Sequence, residues 1–480
     1  MTDDFWFLIG IGCILLFSWA SALHALLYKR DSRAALAWIA VCVMFPPFGA
    51  LFYFLFGINR VRTHGRRLGG PLTLLLHMGT EAAEEGLVPA IPPSAVPAAF
   101  QPIANLSDRI TRQPLLGGNR VEPLSNGEEA FPAMLTAIGR ARQSIYLSTY
   151  IFETNATGKK FIAALGAAVA RGVDVRVILD GVGEYYSFPK AGWMLKRAKV
   201  PVARFFPPRV LPPSFFINLR NHRKILVVDG VEGFTGGMNI GDRHLAADST
   251  KAERVEDLHF RVAGPVVAQM EQIFLADWIL CMGREEPLPV RSGELRRGDA
   301  YCRAIADGPN DDIDKLAMIL VGAAAAARER IFIMTPYFLP NRELVGALQS
   351  AALRGVVVRI LLPAKNNLPF VKWASDNMLW ELLQHGVRIA YQPPPFVHTK
   401  LFLVDDIYAI MGSANIDPRS LRLNFEMVME IFDPALSQNL RARFVQALAR
   451  SRETSLAEMD GRSLAVRIRD ALCWLWTPYL

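Results

Sequence analysis

Two uncharged apolar runs open the chain. Residues 5–28 and 34–57 contain no Asp, Glu, Lys or Arg. At about 24 residues each is roughly 36 Å long as a helix, enough to cross a bilayer with some tilt. The first run lacks a basic leader and is too long for a cleaved signal peptide. The short polar link 29–33 predicts a transmembrane helical hairpin, with Pro46 and Pro47 kinking its second helix or making it re-entrant. Residues 68–120 are rich in Pro and Ala, carry little periodicity and read as an extended linker. From about 121 the pattern becomes globular. It predicts a helix at 128–142, a strand within 141–152, a helix at 159–172 and a strand at 173–180.

The second half repeats this order. A strand within 327–338, a helix at 342–355 and a strand at 356–363 match the first series. The repeat is sharpest further on. HRKILVVDGVEGFTGGMN at 222–239 matches HTKLFLVDDIYAIMGSAN at 398–415 without a gap, each pair lying 176 positions apart (398 − 222). An internal duplication of two α/β units follows, 121–300 and 301–480, preceded by the hairpin (1–67) and the linker (68–120).

Composition adds a partner class. Hydrophobic residues make up 51%, mean hydropathy is +0.21, and the net charge of +8 suits an anionic lipid surface or a nucleic acid. Arg60, Arg62, Arg66 and Arg67 after the hairpin outnumber Lys29, Arg30 and Arg33 in its link, which places the globular region on the cytoplasmic side. Five scattered cysteines with no CxxC offer neither a disulfide framework nor a zinc site. The apolar, Pro-rich stretch 205–219 reads either as a buried loop or as a wall facing acyl chains. The tail from 464 reads either as core or as an interfacial helix.

The repeated motif carries the chemistry. In HxKxxxxD the His and Lys are two apart and share one face of an extended chain. Two half-sites would join His222 and Lys224 with His398 and Lys400. Two imidazoles and two ammoniums suit a phosphodiester. One imidazole attacks phosphorus, and the other protonates the leaving alkoxide and then deprotonates the acceptor. The lysines, with Asn239 and Asn415, hold the non-bridging oxygens. Gly237 and Ser413, beside the matched asparagines, are expected at the phosphate too. Asp229 and Asp405 either orient catalytic groups or fix the strand-end turn. Asp257 and Glu426 are the expected acceptors for the second imidazole N–H, each standing downstream of its own His, with Glu256 and Glu430 as alternatives. This chemistry needs no metal and no cofactor, and no GxxxxGK[ST] loop is present.

These residues resemble the phospholipase D superfamily, and the resemblance runs through nearly the whole chain. It is closest to the bacterial cardiolipin synthases, on LRNHRKILVVDG at 219–230, GGMNIGD at 236–242, TPYFLPN at 335–341 and GSANIDPRSLRLNFE at 412–426. The resemblance implies a tandem pair of phospholipase D-like α/β/α sandwich units with pseudo-two-fold symmetry. It implies a catalytic set of His222, Lys224, Asp229, His398, Lys400 and Asp405, with His222 as nucleophile. It also implies transfer between two phosphatidylglycerol molecules, giving cardiolipin and glycerol, in the bacterial inner membrane. Phosphatidylglycerol and other anionic phospholipids are then the partners, and nucleic acid is not. A hydrolytic phospholipase D shares every one of these residues, and a nucleic-acid phosphodiesterase shares the motif. Two departures from the family pattern bear on the headgroup accepted. Arg243-His244 stands where an acidic then an aromatic residue is expected, and Arg254-Val255-Glu256 replaces a more usual Trp-Arg before Asp257.

Overall fold

The computed structural model describes residues 2–29, 31–57, 90–208, 219–248, 253–283, 296–309 and 314–477. The chain divides into two compact units, Met1–Arg67 and Leu68–Leu480. In the first, α1 spans Thr2–Tyr28 and α2 spans Ser32–Met44. Phe5–Tyr28 is the one described helix long and apolar enough to cross a membrane. The second apolar run does not form one continuous helix. It breaks at Phe45-Pro46-Pro47 because proline cannot donate the next helical hydrogen bond, and a short helix resumes at Phe48–Phe52. Ala22 and Ala25 pack against Cys42 and Tyr53, and the phenol of Tyr53 bonds His24. The arginines at 60, 62, 66 and 67 lie outside the described residues.

The larger unit is built on one mixed sheet. Its first half supplies β1 (Leu116–Ser125), β2 (Ser144–Thr149), β3 (Asp174–Asp180), β4 (Val202–Phe205), β5 (Ile225–Val228), β6 (Glu232–Gly236) and β8 (Leu258–Ala263), with β7 (Val255–Glu256) standing apart. Its second half supplies β9 (Ala300–Asp307), β10 (Arg330–Met334), β11 (Val357–Pro363), β12 (Arg388–Gln392), β14 (Leu401–Val404), β15 (Tyr408–Gly412), β16 (Glu426–Phe432) and an edge strand β17 (Arg452–Thr454). Here β13 (Phe396–Val397) stands apart. The order is β17-β12-β11-β10-β14-β15-β16-β9-β1-β8-β6-β5-β2-β3-β4. Read outward from the central antiparallel pair β1 and β9, the two halves have the same strand order. The duplication is thus visible as topology.

Strands buried on both faces read as continuous apolar runs, as β5 (ILVV) and β14 (LFLV) do. One face is covered by helices Val266–Met282 and Pro434–Ala449 over a core drawn from both halves. The other face carries separate cores. Helices Asn126–Arg140 and Ala156–Ala170 cover the first half, and Lys315–Ala326 and Arg342–Leu353 the second. Three layers result, and the elements expected from the pattern fall within a few residues of their places.

The region expected as an extended linker is folded from residue 90 onward; its part before that lies outside the described residues. Helix Gln101–Thr111 and the residue before it bury Phe100, Ile103 and Ala104 in the second-half core, where Phe100 stacks on Tyr408. Polar groups on the same helix serve a buried ion pair. Arg303 bonds Glu430 at 2.9 Å and also Asp108, while Ser107 and Tyr408 donate to Glu430 at 2.7 and 2.9 Å. Composition hid this because four buried side chains suffice to anchor a short helix. At the other end, helix Leu464–Leu475 buries Asp470 against Arg462 and Arg469 and exposes Leu464, Ile468 and Leu472. In the 205–219 stretch, Phe205 is core and meets Phe425 edge to face, while residues 209–218 lie outside the described set.

Arg303→Ala would leave Glu430 buried and uncompensated, so it is expected to destabilise the unit by about 3–5 kcal/mol. Ser107→Ala, which removes one of several donors, should cost only about 1 kcal/mol. Denaturant unfolding of the two variants in detergent checks the ranking.

Candidate active site

Each His motif begins in extended chain just ahead of a buried strand. His222 and Lys224 precede β5, and His398 and Lys400 precede β14. These approaches pair with the opposite half. Asn221 bridges to Phe425 in parallel, with the His222 N–H donating to the Phe425 carbonyl at 2.9 Å. Equivalently, β13 pairs with β7, Val397 opposite Glu256, and the His398 N–H donates to the Glu256 carbonyl at 2.8 Å. The next residue on each strand then lies beside its neighbour on one face. Those residues are His222 with Glu426, and His398 with Asp257.

The carboxylates therefore cross over. His222 Nδ1 lies 3.0 Å from both oxygens of Glu426, and His398 Nδ1 lies 2.9 Å from Asp257 Oδ2. The expectation that each acid serves the His of its own half is corrected. A sequence offers only separation along the chain, and the crossing is set by pairing between halves. The alternatives drop out. Glu256 is taken by Gln392 and Arg450, and Glu430 by Arg303. With Nδ1 protonated and turned to a carboxylate, each neutral imidazole has its lone pair on Nε2.

The lysines belong to the same cluster. Lys224 Nζ donates to the His222 carbonyl at 2.7 Å, and Lys400 Nζ makes the matching bond to His398. Tyr150, at the end of β2, lays its ring 5.3 Å from His222 and 5.6 Å from the Lys224 ammonium. Asn415 lines a cavity of about 20 Å³ beside Lys400, and its Nδ2 donates to Ser420. Asn239 Oδ1 accepts the Ile151 N–H at 3.1 Å and so fixes the chain just after Tyr150.

Four further expected residues have identifiable partners. Asp229 and Asp405 lie at the far ends of β5 and β14, some 20 Å along the chain from their histidines. Asp229 accepts the backbone N–H groups of Arg142, Gln143 and Ser144, and Asp405 those of Arg328, Glu329 and Arg330. Both have φ of 51°. They tie the strand-end turn to the start of the neighbouring strand, the second of the two roles expected for them. Gly237 and Ser413 lie behind the carboxylates. A Cβ on Gly237 would stand 2.4 Å from Asp257 Oδ1, and Ser413 Oγ donates to Glu426 Oε2 at 2.5 Å. The matched Gly236 and Gly412 are required by close strand approach. With φ of 148° and 152°, they sit where a Cβ would strike the backbone of β8 or β16.

Burial sets the charge states. It pushes His222 down to about 4 against the pull of Glu426, with Lys224 adding to the fall. His398 falls to about 4 through burial and the Lys400 charge. Burial lowers Lys224 to about 7 and Lys400 to about 8, against the carboxylates that favour their charge. For Asp257 burial acts upward, but the His398 bond and the Lys400 charge outweigh it and hold it at about 2. Glu426 is lowered in the same way, by His222 and Lys224 against burial. Two ionised carboxylates thus face two neutral imidazoles and two ammoniums that desolvation makes easy to discharge. An arriving anion would restore both ammoniums and raise the imidazoles.

One functional network was missed from the sequence. Arg223 is buried; its Nε donates to the Glu426 carbonyl at 3.0 Å, its Nη2 to the Asp307 carbonyl at 3.1 Å, and its Nη1 pairs with Asp277. Asn221 Nδ2 donates to the same Asp277 at 2.9 Å. The signal was present, since a charged residue replaces Thr399 at the matched position. The departures Arg243 and His244 also find places. Arg243 pairs with Glu153, and the buried His244 accepts the Asn239 N–H at 3.2 Å.

Comparison with known proteins places this geometry. Residues 134–278 and 320–448 match the family described as "Cardiolipin synthase, PLD-like domain", and residues 14–57 match a phospholipase D-nuclease N-terminal family. The chain is 33% identical to "Cardiolipin synthase A" of Pseudomonas entomophila (strain L48), over 95% of this chain and 96% of that one. It is 34% identical to the protein of the same name from Pseudomonas fluorescens (strain SBW25), over 91% of each. Among solved structures, the phosphatidylserine synthase of Haemophilus influenzae Rd KW20 superposes with a TM-score of 0.60, covering 79% of this chain and 100% of that one at 14% identity. That likeness establishes the shared fold.

Asp405→Ala removes an acceptor shared by three backbone N–H groups and places alanine at positive φ, an expected loss of about 2–4 kcal/mol. Asp405→Asn, which tolerates that φ and keeps one carbonyl oxygen, should lose less. Unfolding midpoints of the two variants check the order.

Proposed function

Because the chain belongs to the cardiolipin synthase family of phospholipase D-like proteins, we propose that it transfers a phosphatidyl group from one phosphatidylglycerol to another, forming cardiolipin and releasing glycerol. The observation that carries the mechanism is the crossed pair of imidazole–carboxylate contacts beside two lysines. The phosphodiester sits between Lys224 and Lys400, whose charges balance its non-bridging oxygens. His222 Nε2 attacks phosphorus. The P–O bond to the glycerol headgroup breaks as His398 Nε2–H protonates the departing oxygen. His398 then removes the proton from the terminal hydroxyl of a second phosphatidylglycerol. That oxygen attacks the phosphohistidine, and the P–N bond breaks to free His222. The bond energy of the diester is conserved, so no nucleotide is consumed. Metal and cofactor take no part in these steps.

His222 is assigned as nucleophile by family resemblance and by its carboxylate. Glu426 accepts from Ser413 and Asn424 as well as from His222, so this ring is the more firmly aimed. The anion raises the His398 pKa from about 4 and supplies the protonated acid that the first step needs. Asn239 and Asn415 support the loops around the phosphate, the second from beside Lys400. We place the protein in the cytoplasmic membrane of a bacterium, with α1 crossing the bilayer, the Pro46-broken second run completing a multi-pass anchor, and the catalytic unit on the cytoplasmic face. Anionic phospholipids rather than nucleic acid are the partners.

Purified protein with phosphatidylglycerol should yield cardiolipin and glycerol in equal amounts, undiminished by a chelator. Phosphatidic acid as the only product would instead identify a hydrolase. His222→Ala and His398→Ala should each lower turnover by about 10⁴-fold or more, and labelled phosphate trapped on protein should sit on residue 222. Trapping on residue 398 alone would reverse the two roles.

The lysines predict the alkaline limb of the pH profile. As pH rises through about 7 to 8 the free enzyme loses the Lys224 and Lys400 charges, so kcat/KM should fall there. The imidazoles stay neutral down to about 4 and leave the acid side flat to that point. Lys224→Arg, which cannot discharge, should move the limb upward while lowering the maximum.

A further inference from the structure

The chain leaving β3 turns across the mouth of the site and exposes aromatic residues. Tyr150, whose ring touches His222, also contacts Tyr186 at 6.1 Å. From there the loop displays Tyr185, Phe188 at 94% exposure and Trp193 at 52%. A free loop would not display so much aromatic surface without a reason. Its charges are one-sided. Residues 181–199 carry Lys190, Lys196, Arg197 and Lys199 and a single acid, Glu184, which is buried and paired with Arg204. The Lys190 ammonium lies 3.5 Å from the centre of the Tyr185 ring, and the Arg197 guanidinium 4.8 Å from that of Trp193. Aromatic rings flanked by long basic side chains are the pattern found where protein meets the headgroup layer.

The pseudo-symmetric segment after β11 does the same. Leu368 and Phe370 are exposed there beside Lys365, with no acid before Asp376. Tyr337, from the loop after β10, donates to Asn367 of this segment, and the next residue, Phe338, bridges to Ile416 beside Asn415. The two rims therefore border one site. The C-terminal helix packs on Pro369–Asp376 and exposes Leu464 and Ile468.

We propose that the rim formed by residues 181–197 and 364–370 is a bilayer-docking surface, its aromatic residues entering the headgroup layer and its lysines and arginines meeting anionic phosphates. This inference rests on the lipid reaction proposed above. It explains how the second lipid reaches the phosphohistidine ahead of water, because a mouth pressed into the headgroup layer opens onto lipid.

The full chain is reconstituted in phosphatidylcholine vesicles holding long-chain phosphatidylglycerol, and separately assayed in detergent with short-chain phosphatidylglycerol below its critical micelle concentration. Phe188→Ser/Trp193→Ser should lose about tenfold or more in vesicles and stay within about twofold on the dispersed substrate. Equal losses in both assays, or none in vesicles, overturn the proposal. A second readout does not depend on activity. Phe188→Cys carrying a polarity-sensitive fluorophore, corrected for the wild-type chain labelled in parallel, should be quenched by phosphatidylcholine brominated high on its chains. No quenching overturns docking. Quenching without cardiolipin formation by the wild type would instead overturn the reaction and leave the docking surface standing.

Discussion

Two short parallel pairings between the halves hold the site together. Asn221 against Phe425 and Val397 against Glu256 are a few backbone hydrogen bonds each. Their register decides which carboxylate meets which imidazole. A slip of one residue would turn Glu426 and Asp257 to the opposite face of the strand and leave two buried acids without partners. The central pairing of β1 with β9 and the shared core under helices Val266–Met282 and Pro434–Ala449 keep the halves from slipping. Arg223 adds a direct lock, bonding Asp277 in its own half and two carbonyls of the other. Neither half-site is complete alone, because each His takes its acid from the other repeat.

The same crossing governs the electrostatics. Burial alone would raise both acids and discharge both lysines. Gathered in one place, opposite charges offset the desolvation of each. The imidazoles, which gain least from this, stay neutral. Taken by itself, the cluster is thus one negative charge short of the arrangement in which both lysines and one imidazole are comfortably protonated. A phosphodiester supplies that charge. Selectivity for an anion and activation of the acid then have one cause.

Much of this was legible in the chain, and the limits have physical reasons. Strands buried on both faces betray themselves as apolar runs, so β2, β3, β10 and β11 could be placed within a few residues, as could the glycine-terminated helices before β3 and β11. The His and Lys positions were fixed by the repeat. Partners contributed by the other half were not, since separation along the chain says nothing of pairing between repeats. Asp229 and Asp405 share the motif with the histidines but sit at the other end of a buried strand, and a motif records spacing rather than depth. The helix at Gln101–Thr111 was lost in a Pro/Ala-rich composition because its fixing contacts, Phe100 on Tyr408 and Ser107 on Glu430, are long-range.

Duplication supplies two equal half-sites, yet the transfer proposed here needs unequal ones: one imidazole must bond to phosphorus while the other only carries a proton. The halves differ at positions that could make that distinction. Ser413 gives Glu426 a hydroxyl donor where Gly237 gives Asp257 none. Arg223 clamps the Glu426 carbonyl, whereas its counterpart Thr399 is too short to reach across in the same way. A carboxylate held by more side-chain donors is less mobile. Its imidazole keeps a fixed line of attack, while Asp257, which accepts from His398 and from the Leu258 N–H, leaves its ring freer to turn between leaving group and acceptor. The divergence therefore lies behind the histidines, in the groups that hold their acids.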